Sequence, residues 1–412
     1  MIDIKYLREN SEKVKKAAKD KGIEIDIDHV LAIDSKCREL SIKVQNLREE
    51  RNKAAKAQDI EEGKRIKTEL EIDEHVLKAV EDELNQWLLK IPNPAKDDVK
   101  IGKDESENEV VRKSGEPTKF DFTPLDHLEI GQALDIIDVE RASKVSGSRF
   151  AYLKNEGVLL EFALVQFALE TLIKEGFVPI VPPVLIKTQV MKGLGYMENG
   201  GDEDMFHIPA DGFTLVGTAE HSIVPMHMDE TFAVKDLPRR YVGFSTAFRR
   251  EAGSYGKDTR GILRVHQFDK VEMVSYVVEG EDDKEQDYLL SVEEKLFQAL
   301  EIPYQVVKMC TGDLGFPAAR KFDLEAWMPG QNKYREVTSV STIADFQSRR
   351  LNIKYQNGGE KKFVSILNGT GYAIGRTIIA ILENFQQEDG SVMIPEVLQK
   401  YMAGIKKIEP KK

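Results

Sequence analysis

The chain has 412 residues, with 59 Lys and Arg against 71 Asp and Glu, a formal net charge of −12. That length exceeds one ordinary domain and suits two or three. Its two cysteines, Cys37 and Cys310, are too few for a disulfide scaffold or a cysteine-based zinc cluster, so no zinc is expected. The start, MIDIKYLREN, has no apolar leader core, and the most apolar helical run, Val158 to Ile173, carries Glu161, Gln166 and Glu170. A reduced, cytoplasmic protein without a membrane segment is expected. The acidic balance argues against wholesale coating of nucleic acid but leaves room for a local basic patch.

In chain order, the first predicted elements are two heptad helices. Val30, Ile33, Cys37, Leu40, Val44 and Leu47 recur at alternating spacings of three and four, a frame that extends to Arg51 and Ala54. Ile66, Leu70, Asp73, Leu77, Val80, Leu84, Trp87 and Ile91 do the same. Matched a/d patterns separated by a polar stretch, Gln58 to Gly63, predict an antiparallel helical hairpin that ends before Pro92 and Pro94. Each arm is roughly 28 residues, about 40 Å long. Between Lys43 and Lys67 there are eight basic and five acidic residues; between Thr68 and Glu83 there are seven acids and one lysine. The tip is therefore basic and the stem acidic. An oligomerisation coiled coil and an arm whose tip meets a polyanion are both compatible with this.

Residues 96–118 are charged and turn-rich, and the chain is parsed as 1–100 helical arm, 101–118 linker and 119–412 main domain. In the last part, helices are predicted at Gly157–Gly176, Glu285–Leu300 and Ala373–Gln386. Strands are predicted at Phe177–Val181, Arg239–Phe248, Ile262–Val278 and Phe363–Asn368. This order indicates an α+β domain with a largely antiparallel sheet.

The most informative segment is Tyr241–Val278. A strand ends in Phe248-Arg249-Arg250-Glu251. A loop with Gly253, Gly256, Lys257, Arg260 and Gly261 follows, and a second strand runs from Ile262 to Glu272. Strict alternation in that strand would place Arg264, His266, Phe268, Lys270 and Glu272 on one face. Such a face is a platform for an anionic, planar ligand or a solvated hairpin with cross-strand ion pairs. Near the C-terminus, Asn368-Gly369-Thr370-Gly371-Tyr372-Ala373-Ile374-Gly375-Arg376 brings small residues and an arginine to a strand–helix junction, where anions bind. Its GxGxxxG spacing and the few residues that follow exclude a dinucleotide fold, and no GxxxxGK[ST] occurs. Glu336 and Ser339, after Trp327-Met328-Pro329-Gly330, are hard oxygen ligands that suit Mg²⁺. His221 and His227 read as structural.

These blocks together resemble the seryl-tRNA synthetases, a family of class II aminoacyl-tRNA synthetases. Gly176-Phe177 through Pro183-Val184-Leu185 is similar to class II motif 1, Phe248-Arg249-Arg250-Glu251 with the hairpin to Glu272 to motif 2, and Gly369-Thr370-Gly371 through Gly375-Arg376 to motif 3. Thr218-Ala219-Glu220 resembles the serine-recognition segment. The resemblance implies an antiparallel sheet flanked by helices, a homodimer through motif 1, and a helical arm that grips tRNA(Ser). It implies ATP-dependent formation of seryl-adenylate from L-serine and transfer of serine to the 3′ end of tRNA(Ser), and of tRNA(Sec) where present.

The same resemblance implies residue roles. Arg249 would bridge the serine carboxylate and the ATP α-phosphate, and Arg264 and Arg376 would hold the outer phosphates; Arg249 and Arg376 are the expected catalytic pair. Glu251 would meet the adenine amino group and Phe268 would stack on the ring. Arg250, Val265, His266, Gln267, Val337 and Thr338 would complete the ATP surface. Glu336 and Ser339 would coordinate Mg²⁺. Thr218, Ala219, Glu220, Glu272 and Thr370 would hold serine with Arg249. The chain departs from the family string Ser-Ser-Cys-Ser-Asn, reading Thr338-Ser339-Val340-Ser341-Thr342.

Overall fold

The computed structural model describes residues 1–252, 258 and 260–411; Gly253, Gly256 and Lys257 of the expected loop lie outside them. The chain forms two compact units, Met1–Pro94 and Ala95–Lys412. No helix is long and apolar enough to cross a membrane among the described residues.

In the first unit the heptads form two helices, α1 (Ile27–Lys56) and α2 (Ile60–Leu89). The expected turn at Gln58–Gly63 is shorter. Asp59 Oδ1 accepts the Glu62 amide at 3.1 Å, so helix α2 starts at Ile60 and Gly63 lies in its first turn. The seam is apolar where the pattern places it, with Val44, Leu47 and Ala54 packed on Ile66 and Leu70. The one seam carboxylate, Asp73, is 8% exposed and is neutralised by Lys43 Nζ at 2.7 Å. Near the root, Val30 and Ile33 join Val80, Leu84, Leu88 and the N-terminal Ile2, Leu7 and Val14 in a second cluster. Ile66 is 2% exposed, so Ile66→Ala is expected to cost about 2–5 kcal/mol of hairpin stability by opening a cavity. Helical melting followed by circular dichroism is the check.

The second unit is built on an eight-stranded sheet. Its strands are β1 (Glu109–Ser114), β2 (Val178–Ile180), β3 (Arg239–Phe248), β4 (Gln267–Val277), β5 (Tyr304–Lys308), β6 (Arg320–Met328), β7 (Lys333–Ala344) and β8 (Ser365–Ala373). The spatial order is β1-β5-β6-β7-β8-β4-β3-β2. Every neighbouring pair is antiparallel except β2 with β3. The segment read as a linker therefore contributes an edge strand. All but one of its residues are exposed, so it lacks the alternation by which a strand is recognised.

Helices α3 (Glu156–Lys174), α4 (Asp282–Ala299) and α5 (Ile374–Phe385) join one core with Val271, Met273 and Val340 of the sheet. Alternation then turns Lys270, Glu272, Ser339 and Ser341 the other way, toward open cavities.

Candidate active site

Strands β3 and β4 pair from Phe248↔Gln267 onward, so the chain leaves the ladder at Arg249 and re-enters at Gln267. The expected strand start at Ile262 is not formed. Residues 262–266 are irregular because Ile262, Leu263 and Val265 are buried in the core. Even so, Arg264 reaches the same cavity as Phe268 and Lys270. His266 does not: its Nδ1 donates to the Arg249 carbonyl at 2.9 Å, and its ring lies 5.4 Å from that of Phe150. His266 thereby fixes the backbone of Arg249.

The first cavity, about 180 Å³, is lined by Arg249, Arg264, Arg376, Lys321, Glu251 and Glu336 together with Phe268. The Arg249 guanidinium lies 5.3 Å from the Phe268 ring centroid, and its Nε donates to the Gly217 carbonyl at 3.2 Å. Arg264 pairs with Glu251 at 2.6 Å. Arg376, in the first turn of α5, donates to both the Glu336 carboxylate and the Glu336 carbonyl at 3.0 Å. Burial works to raise the Glu336 carboxyl, but Arg376 and Lys321 outweigh it and hold it down to about 2. Glu336 is thus ionised, in a site with excess positive charge that suits a polyphosphate.

Glu336 and Ser339 are three residues apart, which in a regular strand places them on opposite faces. The β6–β7 register runs Leu324↔Thr338 and then Glu325↔Glu336, so Val337 is the extra residue of a bulge. The bulge returns both oxygen ligands to one cavity. Thr338 also lines the cavity, but its hydroxyl donates to Glu293 Oε2 at 2.8 Å.

The second cavity, about 400 Å³, is lined by Tyr196, Thr218, Glu220, Glu272 and Asn368 among others. Glu220 Oε1 accepts from Tyr196 Oη at 2.7 Å and Gln347 Nε2 at 3.2 Å, and burial raises its carboxyl above the usual range. Glu272 Oε2 accepts from Thr370 Oγ1 at 3.2 Å and lies 2.5 Å from Lys270 Nζ. A second bulge sets this up: Val271 faces Tyr372 and Glu272 faces Thr370, leaving Gly371 as the extra residue. Burial pushes Glu272 up to about 7, with Glu220 adding and Lys270 and Thr370 opposing. Burial, then Arg249 and Lys270, push His221 down to about 3. Its Nδ1 accepts from the Gly217 amide at 3.2 Å, so it is a neutral structural group. His227 is held between Glu230 and Tyr241.

Arg249, Lys270, Lys321 and Ser339 line both cavities, which therefore meet. Four expected site residues stand apart. Ala219 packs in a core cluster. The Arg250 guanidinium lies over Phe206, 5.8 Å from its centroid. Gln267 faces a neighbouring cavity beside Glu161. His266, bonded to the Arg249 carbonyl, is the fourth, whereas Val337, though only 1% exposed, lines the first cavity. Tyr196, Gln347, Asn368 and Lys321 join the site without having a place among the expected residues. Asn368 lies within the quoted glycine string, whereas Tyr196 and Gln347 belong to no motif and arrive by tertiary packing. The departing Thr342 is buried and donates to Asp282 at 2.9 Å, outside the lining of the second cavity.

Comparison with known proteins places this geometry in a family. Residues 206–385 match the tRNA synthetase class II core domain (G, H, P, S and T), and residues 1–95 match the seryl-tRNA synthetase N-terminal domain. The chain is 44% identical to a serine–tRNA ligase of Dictyoglomus turgidum, with all of both chains covered. It is 45% identical to that of Dictyoglomus thermophilum, again over the full length of both. Among solved structures it resembles seryl-tRNA synthetase from Pyrococcus horikoshii complexed with ATP, at a TM-score of 0.94 and 38% identity over 100% of both chains. It also resembles the cytoplasmic serine–tRNA ligase of Naegleria fowleri in complex with AMP, at a TM-score of 0.91 and 33% identity over 100% of this chain and 99% of that one. With full-length relatives of this similarity, two joined cavities and an N-terminal helical hairpin, the chain belongs to the seryl-tRNA synthetase family of class II aminoacyl-tRNA synthetases.

Proposed function

We propose that this protein activates L-serine with ATP to seryl-adenylate and transfers serine to the 3′ end of tRNA(Ser). The observation that carries this reading is the junction of an arginine-lined cavity with a carboxylate-lined one through Arg249 and Lys270. Activation is attack of the serine carboxylate on the α-phosphorus, with pyrophosphate leaving. The substrate is its own nucleophile, so the protein's task is to bring two anions together and neutralise the charge that develops. In this reading Arg249 binds the carboxylate and α-phosphate, Arg264 and Arg376 take the outer phosphates, and Phe268 stacks on adenine while Glu251 meets its amino group. Glu220 and Glu272 take the serine ammonium and hydroxyl, with Thr218 and Thr370 adding contacts.

Magnesium fits the first cavity. Glu336 is ionised and Ser339 shares its face. The described residues include no group of three or more His, Cys, Asp or Glu that could hold a metal alone, so phosphate oxygens would complete the shell, as Mg²⁺ requires. When bound, Mg²⁺ supplies charge neutralisation on the phosphates.

Two partner assignments belong to the same reading. Leu159 and Phe162 on α3, Val178 on β2, and Val181 and Leu185 beyond it are exposed apolar residues, Val181 at 84%. They support the assignment of the motif 1 region to contact with a second copy. The basic tip of the α1–α2 hairpin is assigned to tRNA(Ser).

Serine-dependent ATP–pyrophosphate exchange followed by charging of tRNA(Ser) tests the function; absence of serine-dependent exchange in the presence of Mg²⁺ refutes it. Alanine lacks the hydroxyl that would satisfy Glu272 and Thr370. Its kcat/KM in exchange is expected to be lower by roughly 10⁴-fold.

A further inference from the structure

We infer that Lys270 is a positioning residue for serine recognition, holding the buried Glu272 carboxylate ionised and oriented where the amino-acid cavity meets the nucleotide cavity. This rests on the seryl-transfer reading and goes beyond it by giving a role to a lysine that would otherwise be one half of a buried ion pair.

The two residues are neighbours on one face of β4, two positions apart. Lys270 is 7% exposed and Glu272 is 2% exposed, and Nζ stands 2.5 Å from Oε2. The surroundings of Glu272 otherwise favour its neutral form. Glu220, from the short helix Glu220–Ile223, lines the same cavity. Glu293, on α4, is close enough that the charge of Glu272 helps to raise its carboxyl. Tyr196 lies across the cavity, and Thr370 of β8 contributes a single hydroxyl. Arg249, the arginine lining this cavity, has its Nε on the Gly217 carbonyl and its guanidinium over Phe268. A carboxyl buried among carboxyls takes up a proton unless a cation touches it, and a neutral carboxyl does not attract an ammonium group. The titration agrees with the geometry: burial lifts Glu272 to about 7, and Lys270 is the strongest influence in the opposite direction.

The sign of the pH effect follows. The carboxylate exists above its pKa, so kcat/KM for serine falls as pH drops through about 7 in the unaltered enzyme. Removing Lys270 moves that fall to higher pH. The experiment is ATP–pyrophosphate exchange from pH 6 to 8.5 with the full chain, Lys270→Met and Lys270→Arg, recording KM for serine and for ATP, with thermal unfolding of each variant. In Lys270→Met the serine KM is expected to rise at least about tenfold at pH 7, as for removal of a charged hydrogen bond, and to recover toward the unaltered value at pH 8.5. The ATP KM is expected to change much less, and Lys270→Arg to restore most of the serine affinity at pH 7. A serine KM in Lys270→Met that keeps the unaltered pH profile overturns the role, as does an ATP KM that rises equally. No serine-dependent exchange by the unaltered chain overturns the activity itself, and this role with it.

Discussion

Replacing residues 42–75 by a short Gly-Ser turn is expected to lower tRNA(Ser) charging by at least about 10²-fold. This is the scale of two or three charge-assisted hydrogen bonds to phosphate. Serine-dependent exchange is expected to stay within about twofold, because sites that share no partners act independently. The first unit has two separate clusters: the removed stretch carries Val44, Leu47, Ile66 and Leu70, whereas the root keeps Leu7, Val30, Val80 and Leu84. Arg65 at the tip is tied to Glu62 at 2.7 Å, but among the described residues no ion pair engages Arg51, Lys53 or Lys56, all of which are exposed. Those three are the first substitutions to make. Removing any one cation that neutralises a phosphate should also flatten the log–log salt dependence of tRNA binding by nearly one unit. Equal reduction of exchange and charging in the shortened protein would show that the hairpin does not act through tRNA alone.

Arg249→Ala is expected to lower kcat for exchange by about 10³-fold, the scale for removing one donor aimed at developing charge in a site that excludes water. Arg249 lines both cavities, so no other arginine can meet the serine carboxylate and the α-phosphate together. Arg264 and Arg376 line only the nucleotide cavity and its outward extension. Lysine should recover little. A point charge cannot make the two-pronged contact, and the position beside Phe268 and the Gly217 carbonyl is shaped for a planar guanidinium. If Arg249→Ala raised only the serine KM with kcat unchanged, the residue would act in binding alone.

Much of the molecule is legible from local pattern. The heptads locate the hairpin, and the family blocks locate β3, β4, β8 and α5 to within a few residues. The differences between pattern and structure have specific causes. The turn at Asp59 is shorter than its polar composition suggests because an N-cap sets where α2 begins. Strand β4 starts five residues later than its apolar run implies, since Ile262, Leu263 and Val265 look like strand residues but fill the core from an irregular segment. Edge strand β1 has the composition of a linker because both of its faces are exposed. Thr342 is a departure with no local meaning; its hydroxyl on Asp282 supplies one.

By itself the sequence determined the parts: which stretches are helix or strand, which residue types carry charge, and which family of reactions they serve. The elements follow from spacings of two, three and four residues, which local geometry dictates; the family of reactions follows from the resemblance of the motif blocks. Only the tertiary structure decided the assembly. The bulges at Val337 and Gly371 turn Glu336 with Ser339, and Glu272 with Thr370, onto shared cavities. Tyr196 and Gln347 meet Glu220 from distant parts of the chain. Lys270 meets Glu272 out of water, where one ion pair governs whether a carboxyl is charged. Register and burial depend on partners far along the chain, and no local window of sequence contains them.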